Sequence, residues 1–276
     1  MTTVTQIFQK AIDMWMAHDP RWKEATVMYL EDLKKKYDAL DVDGQKYYNK
    51  EHLENPYHDS TIYFGDGWHT VKKLIVWIDV QWPEFLLIHE LNKIALEKWE
   101  QKIDLVVWHH PEGSSLLGIA KLQKWIAPFV AHNAGVPINV SEKVEFPRVW
   151  EVEQRFSPLN HNRALSFAQM LDIPYMGIHT PADNCVHKYL EKLIENNKDK
   201  LTTLQDIMNV LMWEPEMQYS KRNGGWPAIW NGEKDSRCGK IVVTGITWGT
   251  ESSKHIYAEY EKAWVGTILE MHMSAE

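Results

Sequence analysis

Three apolar runs of this chain end on histidine, and two of those histidines have a carboxylate four residues further on. The runs are LVVWHH (Leu105 to His110), YMGIHTPAD (Tyr175 to Asp183) and VGTILEMHMSAE (Val265 to Glu276). Imidazoles and carboxylates gathered at one point suit a borderline divalent ion such as Zn2+, Mn2+, Fe2+ or Ni2+ rather than Ca2+. Two carboxylates and three imidazoles exceed what one tetrahedral ion takes. They suit a pair of ions about 3.5–4 Å apart, bridged by Glu276 or a hydroxide.

Each pair also has an ordinary structural explanation. Neighbouring strand residues point to opposite faces, so His109 and His110 share a site only where the backbone turns, and Pro111 and Gly113 place a turn there. A histidine at such a strand end can equally cap it by bonding a carbonyl. In HTPAD, Pro181 suits the first turn of a helix, and Asp183 can equally be a plain cap for a helix over 184–196. His272 and Glu276 have the spacing of one face of a helical turn. The three pairs become a site if their strand ends converge on one edge, since open α/β sheets bind ligands beyond the carboxyl ends of their strands.

The elements that must position these residues alternate. Helical periodicity over 4–40, punctuated at Asp19 and Pro20, is followed by a polar connection over 41–70 around a short strand, Thr61 to Phe64. VKKLIVWIDV (Val71 to Val80) reads as a strand, about Trp82 to Gln101 as a helix, and Leu105 to Trp108 as the next strand. Strand, helix and strand in succession predict a right-handed βαβ unit. A helix over about Ser114 to Ala131 comes next, then an irregular stretch from Gly135 to Pro158 that contains three prolines. Helices over about 162–171, 184–196 and 203–213 and a strand at Tyr175 to Ile178 precede an irregular run, Asn223 to Gly239. Lys240 to Ile246, an amphipathic helix through Tyr260 and Val265 to Met271 complete an α/β pattern.

Composition bounds the rest. A net charge of −8 disfavours a general nucleic-acid binder without excluding a nucleotide-sized substrate. Cys185 and Cys238 are too few for a disulfide scaffold and lie in no zinc-type pattern, so a cytoplasmic location is expected. No basic segment followed by an apolar core opens the chain, which predicts no signal peptide. No apolar stretch approaches the ~20 residues that span a bilayer. The 14 tryptophans are scattered without a repeat and read as core or interface residues.

With these residues in view, the chain resembles the Nif-three-like family, the NGG-one-interacting-factor proteins, some of which carry the name GTP cyclohydrolase I type 2. DLVVWHHP, IHTPAD and HMSAE stand in the order of the family's three motifs, and VKKLIVWIDV is similar to its first core strand with a closing Asp. The similarity covers roughly residues 55 to 276. It implies a two-lobed α/β fold with mixed sheets flanked by helices, a dinuclear metal centre between the lobes, and a toroidal homohexamer. The lobes would be a main α/β lobe over 66–135 with 240–276, joined by an N-terminal helical segment over 1–65, and an inserted, second-lobe region over 136–239. The ligands would be His109, His110, Asp183, His272 and Glu276, with His179 beside the site. Three features depart from the family: a longer interval between His110 and His179, a glycine-rich loop reduced to TGITWGTESS, and no tail beyond HxxxE.

The function expected is a metal-dependent hydrolase, of cyclohydrolase, amidohydrolase or phosphohydrolase type, acting on a small, nucleotide-like substrate through a metal-activated water. Glu112 and His179 are the candidates for moving the proton. Gly249, Thr250 and Ser252 precede a helix, where backbone N–H groups can hold a phosphate. His161 and Arg163, with Asn162, reach toward the site from the long interval or cap a helix. The alternative is a metal-binding regulatory or interaction protein without turnover, and a third reading is a structural zinc site.

Overall fold

The computed structural model describes residues 2–273 except Trp22, Asp66, Trp68 and Trp226. From the N-terminus run β1 (Thr2–Thr3), α1 (Val4–Met16), α2 (Lys23–Asp38) and α3 (Val42–Tyr47). Next come β2 (Thr61–Phe64), β3 (Thr70–Val71), β4 (Leu74–Trp77), α4 (Trp82–Glu97) and β5 (Leu105–Trp108). Four helices follow in series, α5 (Ser114–Gln123), α6 (Ile126–Ala134), α7 (Ile138–Phe156) and α8 (Arg163–Leu171). The chain ends with β6 (Tyr175–Gly177), α9 (Thr180–Asn197), α10 (Leu204–Leu211), α11 (Pro215–Arg222), β7 (Lys240–Thr244), α12 (Ile256–Lys262) and β8 (Val265–Glu270). No helix among the described residues is long and apolar enough to cross a membrane.

Two sheets matter for the site. The larger has the order β2-β6-β5-β4, with β2 antiparallel to β6 and the other pairs parallel. Its central strand β5, LVVW, is buried along its whole length, as a parallel strand covered on both faces must be. The smaller sheet pairs β7 with β8 in parallel through α12. The expected single edge is therefore two: His109, His110 and His179 follow strands of the large sheet, whereas His272 follows a strand of the small one. Strand pairing between distant segments decides this, and alternating apolar runs carry no record of it.

Local chemistry explains the helix boundaries. α1 begins in a capping box: Thr3 N–H donates to Gln6 Oε1 (3.0 Å) and Gln6 N–H to Thr3 Oγ1 (3.2 Å). α4 starts with proline in its first turn, and Gln81 N–H donates to Glu84 Oε2 at 2.7 Å. The strand expected over 71–80 is interrupted at Lys72 and Lys73, whose N–H groups both turn to Asp104 Oδ2 (2.9 and 3.0 Å). The helix expected over 114–131 breaks at Trp125, a buried ring with the Arg21 guanidinium 3.4 Å from its centroid.

One segment departs fully from expectation. Residues 138–156, read as irregular, form α7, with Pro147 inside the helix. An interior proline costs about 3 kcal/mol, and burial against α5 and α6 offsets it. The buried face runs Ser141, Glu145, Val149, Val152, a spacing of 4, 4 and 3. Two of its four members are polar, so a search for apolar periodicity passes over it. Glu145 is fully buried and accepts the Ser253 N–H on both carboxylate oxygens at 3.2 Å.

The main core joins α1, β5, α6, β7 and α12 through Phe8, Ile12, Leu105, Phe129, Val242 and Tyr260. A second cluster, with Phe85, Ile88, Trp108 and Tyr175, fills the space between the large sheet and α4 and α8. Together they hold the ends of β5 and β6 side by side.

Candidate metal centre

β5 ends at Trp108 and the backbone turns at once: His109 N–H donates to Trp77 O (3.0 Å) and His110 N–H to Ile78 O (2.9 Å). This turn lets both imidazoles lie on one side, with ring centroids 5.1 Å apart. β6 ends one residue before Ile178, and the chain passes through His179 straight into α9. The helix starts at Thr180, four residues earlier than expected, because Pro181 fits its first turn. Asp183 is thereby inside that turn, where its own N–H donates to His179 O (3.1 Å) and its side chain faces inward.

His109, His179 and Asp183 each offer a ligand atom, all within 4.8 Å of one another. His109 Nε2 is 3.2 Å from Asp183 Oδ1, and His179 Nε2 is 3.7 Å from Asp183 Oδ2. The Nδ1 atoms of His109, His110 and His179 are already committed. His109 Nδ1 donates to Ile178 O (3.2 Å), His110 Nδ1 to Asp79 Oδ1 (2.7 Å) and His179 Nδ1 to Asp59 Oδ2 (2.8 Å). Carbonyls and carboxylates only accept, so each Nδ1 carries the proton and each Nε2 presents a lone pair in the neutral ring. Histidines that hold metals are oriented in this way.

Among the buried side-chain polar atoms of the described residues that have no hydrogen-bond partner are Asp183 Oδ2 and His272 Nδ1. A buried carboxylate oxygen without a donor carries a desolvation cost, and a cation at the imidazole nitrogens would remove it. The His109, His179 and Asp183 donor set could hold a metal ion. His272 is fixed by its own N–H donating to Gly245 O (2.8 Å). Burial lowers its pKa below the usual histidine range, and Asp183, His179, His110 and His109 all act on its charge. The ring therefore sits in the field of the cluster. His179 goes the other way: burial opposes its charged form, but the bond to Asp59 and the charges of Asp183 and Asp59 outweigh that and raise it.

The remaining candidates are spread around this centre. Glu112 and Arg163, with Gln81 and Asn160, line a cavity of about 170 Å3. Burial raises the Glu112 pKa against the nearby positive charges of Arg163 and His161. Both ring nitrogens of His161 face carbonyls, Gly113 O at 2.9 Å and Ser157 O at 3.3 Å, which ties the turn after β5 to the end of α7. Asn162 is the residue before α8. Gly249 lies against the site: a Cβ there would meet His179 Cε1 at 3.1 Å, and its φ is +79°. Thr250 is buried with its hydroxyl bonded to the Gln123 side chain, Ser252 is buried, and the next helix, α12, begins only at Ile256. Glu276 lies outside the described residues.

Two participants gave no signal in the sequence. Asp59, fully buried, accepts His179 Nδ1–H and the Thr180 hydroxyl (2.6 Å). It sits in the polar stretch PYHDST, which shows no period and no motif. Trp248 holds a left-handed backbone (φ 69°), rare for a bulky side chain, within the loop that presents Gly249 to His179.

No family model matches the sequence, and no curated protein matches it significantly. Among solved structures, a NIF3 superfamily protein from Sphaerobacter thermophilus is similar, with a TM-score of 0.69 and 24% sequence identity. The match covers 79% of this chain and 74% of that one. The chain thus has the mixed α/β fold of the NIF3 superfamily, with a His-His-Asp cluster that could hold a metal at the ends of its strands.

Proposed function

We propose that this protein is a divalent-metal-dependent hydrolase acting on a small substrate. The observation that carries the reading is the orientation of His109 and His179 by Ile178 O and Asp59 around Asp183, whose buried Oδ2 has no hydrogen-bond partner among the described residues. His109, His179 and Asp183 would hold one ion. His110, whose ring centroid is 5.1 Å from that of His109, and His272, with Glu276, are the residues we propose would hold a second. When bound, such ions bring a water to hydroxide near neutral pH and polarise the group it attacks.

The chain's own residues supply the rest. Asp59 keeps His179 in one tautomer, so the ring need not reorient during turnover. Glu112, half-buried and raised by desolvation, is the group we assign to hold and return a proton at its carboxylate. Arg163, on the same cavity, would bind an anionic part of the substrate. The 245–250 loop covers the far side of His179 through Gly249, where a backbone without a side chain leaves the closest approach.

Elemental analysis of purified protein, followed by assay of nucleotide, cyclic-amide and phosphoester substrates with Mn2+ or Zn2+ and with chelator, tests this reading. We expect bound transition metal and chelator-sensitive hydrolysis. Metal without turnover on any of these would favour a regulatory metal protein, and full metal content in His109→Ala would overturn the site.

A further inference from the structure

The face of the large sheet that α1 covers carries a groove that the metal site by itself does not use. In β4, Ile75 and Trp77 pack toward α4 and α8, and in β5 so do Val106 and Trp108. Alternation along a strand therefore turns Val76 and Val107 to the other face, toward α1. Between them and Ala11 and Met14 of α1 runs a groove of about 460 Å3, within the range of small-molecule sites. Val76 is 63% exposed and Met14 43%, so the chain itself does not fill it.

The groove leads to the metal centre. α1 begins beside β3, where Thr2 pairs with Val71 and Val4 N–H donates to His69 O (3.1 Å). Beyond its other end, Asp19 accepts from Tyr57 Oη (3.1 Å), which in turn accepts from Asn184 Nδ2 (3.3 Å), next to Asp183. The helix thus runs alongside β4 and β5 toward the ends of the strands. His109 and Ile178 line the groove there, and His109 Nε2 is 3.2 Å from Asp183 Oδ1. Of the described residues that line it, only Lys10 and His109 are titratable. The stem of Lys10 can lie along the wall with its ammonium in water.

The other face of the sheet holds a contrasting half. The cavity of Glu112 and Arg163 is also lined by Ala164, which packs in one cluster with Trp108 on the α8 side. An apolar groove and a cationic cavity therefore open on opposite faces of the sheet. The turn after β5 joins them, since His109 lines one and Glu112 the other.

We infer that the groove and the cavity are two halves of one site, and that its substrate is an N-acylated small amino acid. The carboxylate lies at Arg163, the amide at the metal centre and the acyl chain in the groove. This deepens the hydrolase reading and rests on it. In the reaction a water oxygen bonds to the acyl carbon and the C–N bond breaks. Glu112 takes a proton from that water and passes it to the leaving nitrogen, so the products are a carboxylic acid and a free amino acid. A nucleotide fits less well, because an apolar lining strips water from the polar edges of a base without replacing those bonds.

N-acylglycines from acetyl to octanoyl, titrated by calorimetry into the chelator-treated protein, test the site without turnover. Affinity should rise about fourfold per added methylene until the groove is full. Ala11→Phe fills the groove, and Val76→Glu, at an exposed position, puts a charge in it. Both should flatten that rise while keeping the wild-type thermal transition. Arg163→Gln should weaken every chain length about tenfold and leave the rise intact. Affinity that ignores chain length, or a rise that survives both groove variants, would overturn the inference. So would equal binding of the matching N-methyl amides, which lack the carboxylate. With metal restored, the same acylglycines should be cleaved, with kcat/KM following chain length. Length-dependent binding without cleavage would refute the hydrolase reading and make these compounds ligands, not substrates.

Discussion

His179 Nδ1 donates to Asp59 Oδ2 at 2.8 Å, across 120 residues of sequence, and both side chains are buried. Asp59 also accepts from the hydroxyl and N–H of Thr180 and from the Ser60 hydroxyl. One carboxylate therefore locks the orientation of the imidazole and the start of α9, which carries Asp183. Losing this kind of support costs about 10–100-fold in metal affinity. Asp59→Asn should weaken metal binding by that factor, read by competition with a chromogenic chelator. It should also lower stability by about 1–3 kcal/mol through donors left unpaired. Unchanged metal affinity would remove Asp59 from the site.

Asp183 supplies a second test, this time from stability. Its Oδ2 has no hydrogen-bond partner among the described residues. A ligand present at 100 times its dissociation constant adds about 2.7 kcal/mol to folding free energy. Mn2+ or Zn2+ should therefore raise the unfolding temperature of the wild-type protein. Asp183→Asn should fold and show no such rise. An equal rise in the variant would mean that the ion binds elsewhere.

How much of this was legible follows from what kind of signal each residue leaves. The histidines after β5, β6 and β8 stand at the ends of apolar runs, so their strands and their candidacy were visible together. Asp183 was visible as a carboxylate spaced from His179, but its role as a cap was equally open until Pro181 was seen to start the helix at Thr180. Asp59 was hidden, because a buried carboxylate in a loop differs from a solvated one only through partners far away in sequence. The face of α7 was hidden for the opposite reason. The three prolines of 135–158, Pro147 inside the helix among them, read as breaks, and Ser141 and Glu145 occupy core positions with polar groups that leave no apolar period to set against them. Nor could any run of residues show that β8 pairs with β7 and not with β6.

Glu145 makes stability depend on pH. Burial, against the pull of the Ser253 N–H and Arg148, pushes its carboxyl up to about 7. The folded-state value lies above the unfolded one of 4.5, so its favourable state is complete below 4.5 and is lost as pH rises toward 7. The loss is about 2–3 kcal/mol over that window. Glu145→Gln keeps an acceptor for Ser253 and removes the titration. Its denaturant midpoint should exceed that of the wild type at pH 8 and match it at low pH. A wild-type protein and variant with parallel pH profiles would show that this carboxylate ionises without strain.

His58 gives the opposite slope. Its ring stacks on His52 with centroids 3.8 Å apart and planes at 6°, while Tyr29 Oη lies 3.2 Å from its Nε2. Burial first, then the charges of His52 and Lys121, push its pKa down to about 2. Because the folded value is below the unfolded one of 6.5, the contribution is complete above 6.5 and is lost as pH falls. By about pH 5 the loss reaches roughly 2 kcal/mol. Between 4.5 and 6.5 it opposes the gain from Glu145, so the wild-type profile is flatter than either group alone would make it. His52 is also pushed down by burial, to about 4, so the variants are read against the wild type: His58→Phe, which keeps the stack, should gain stability relative to it as pH falls through this window, and Glu145→Gln should lose it. A His58→Phe profile parallel to that of the wild type would assign the acid sensitivity to other groups.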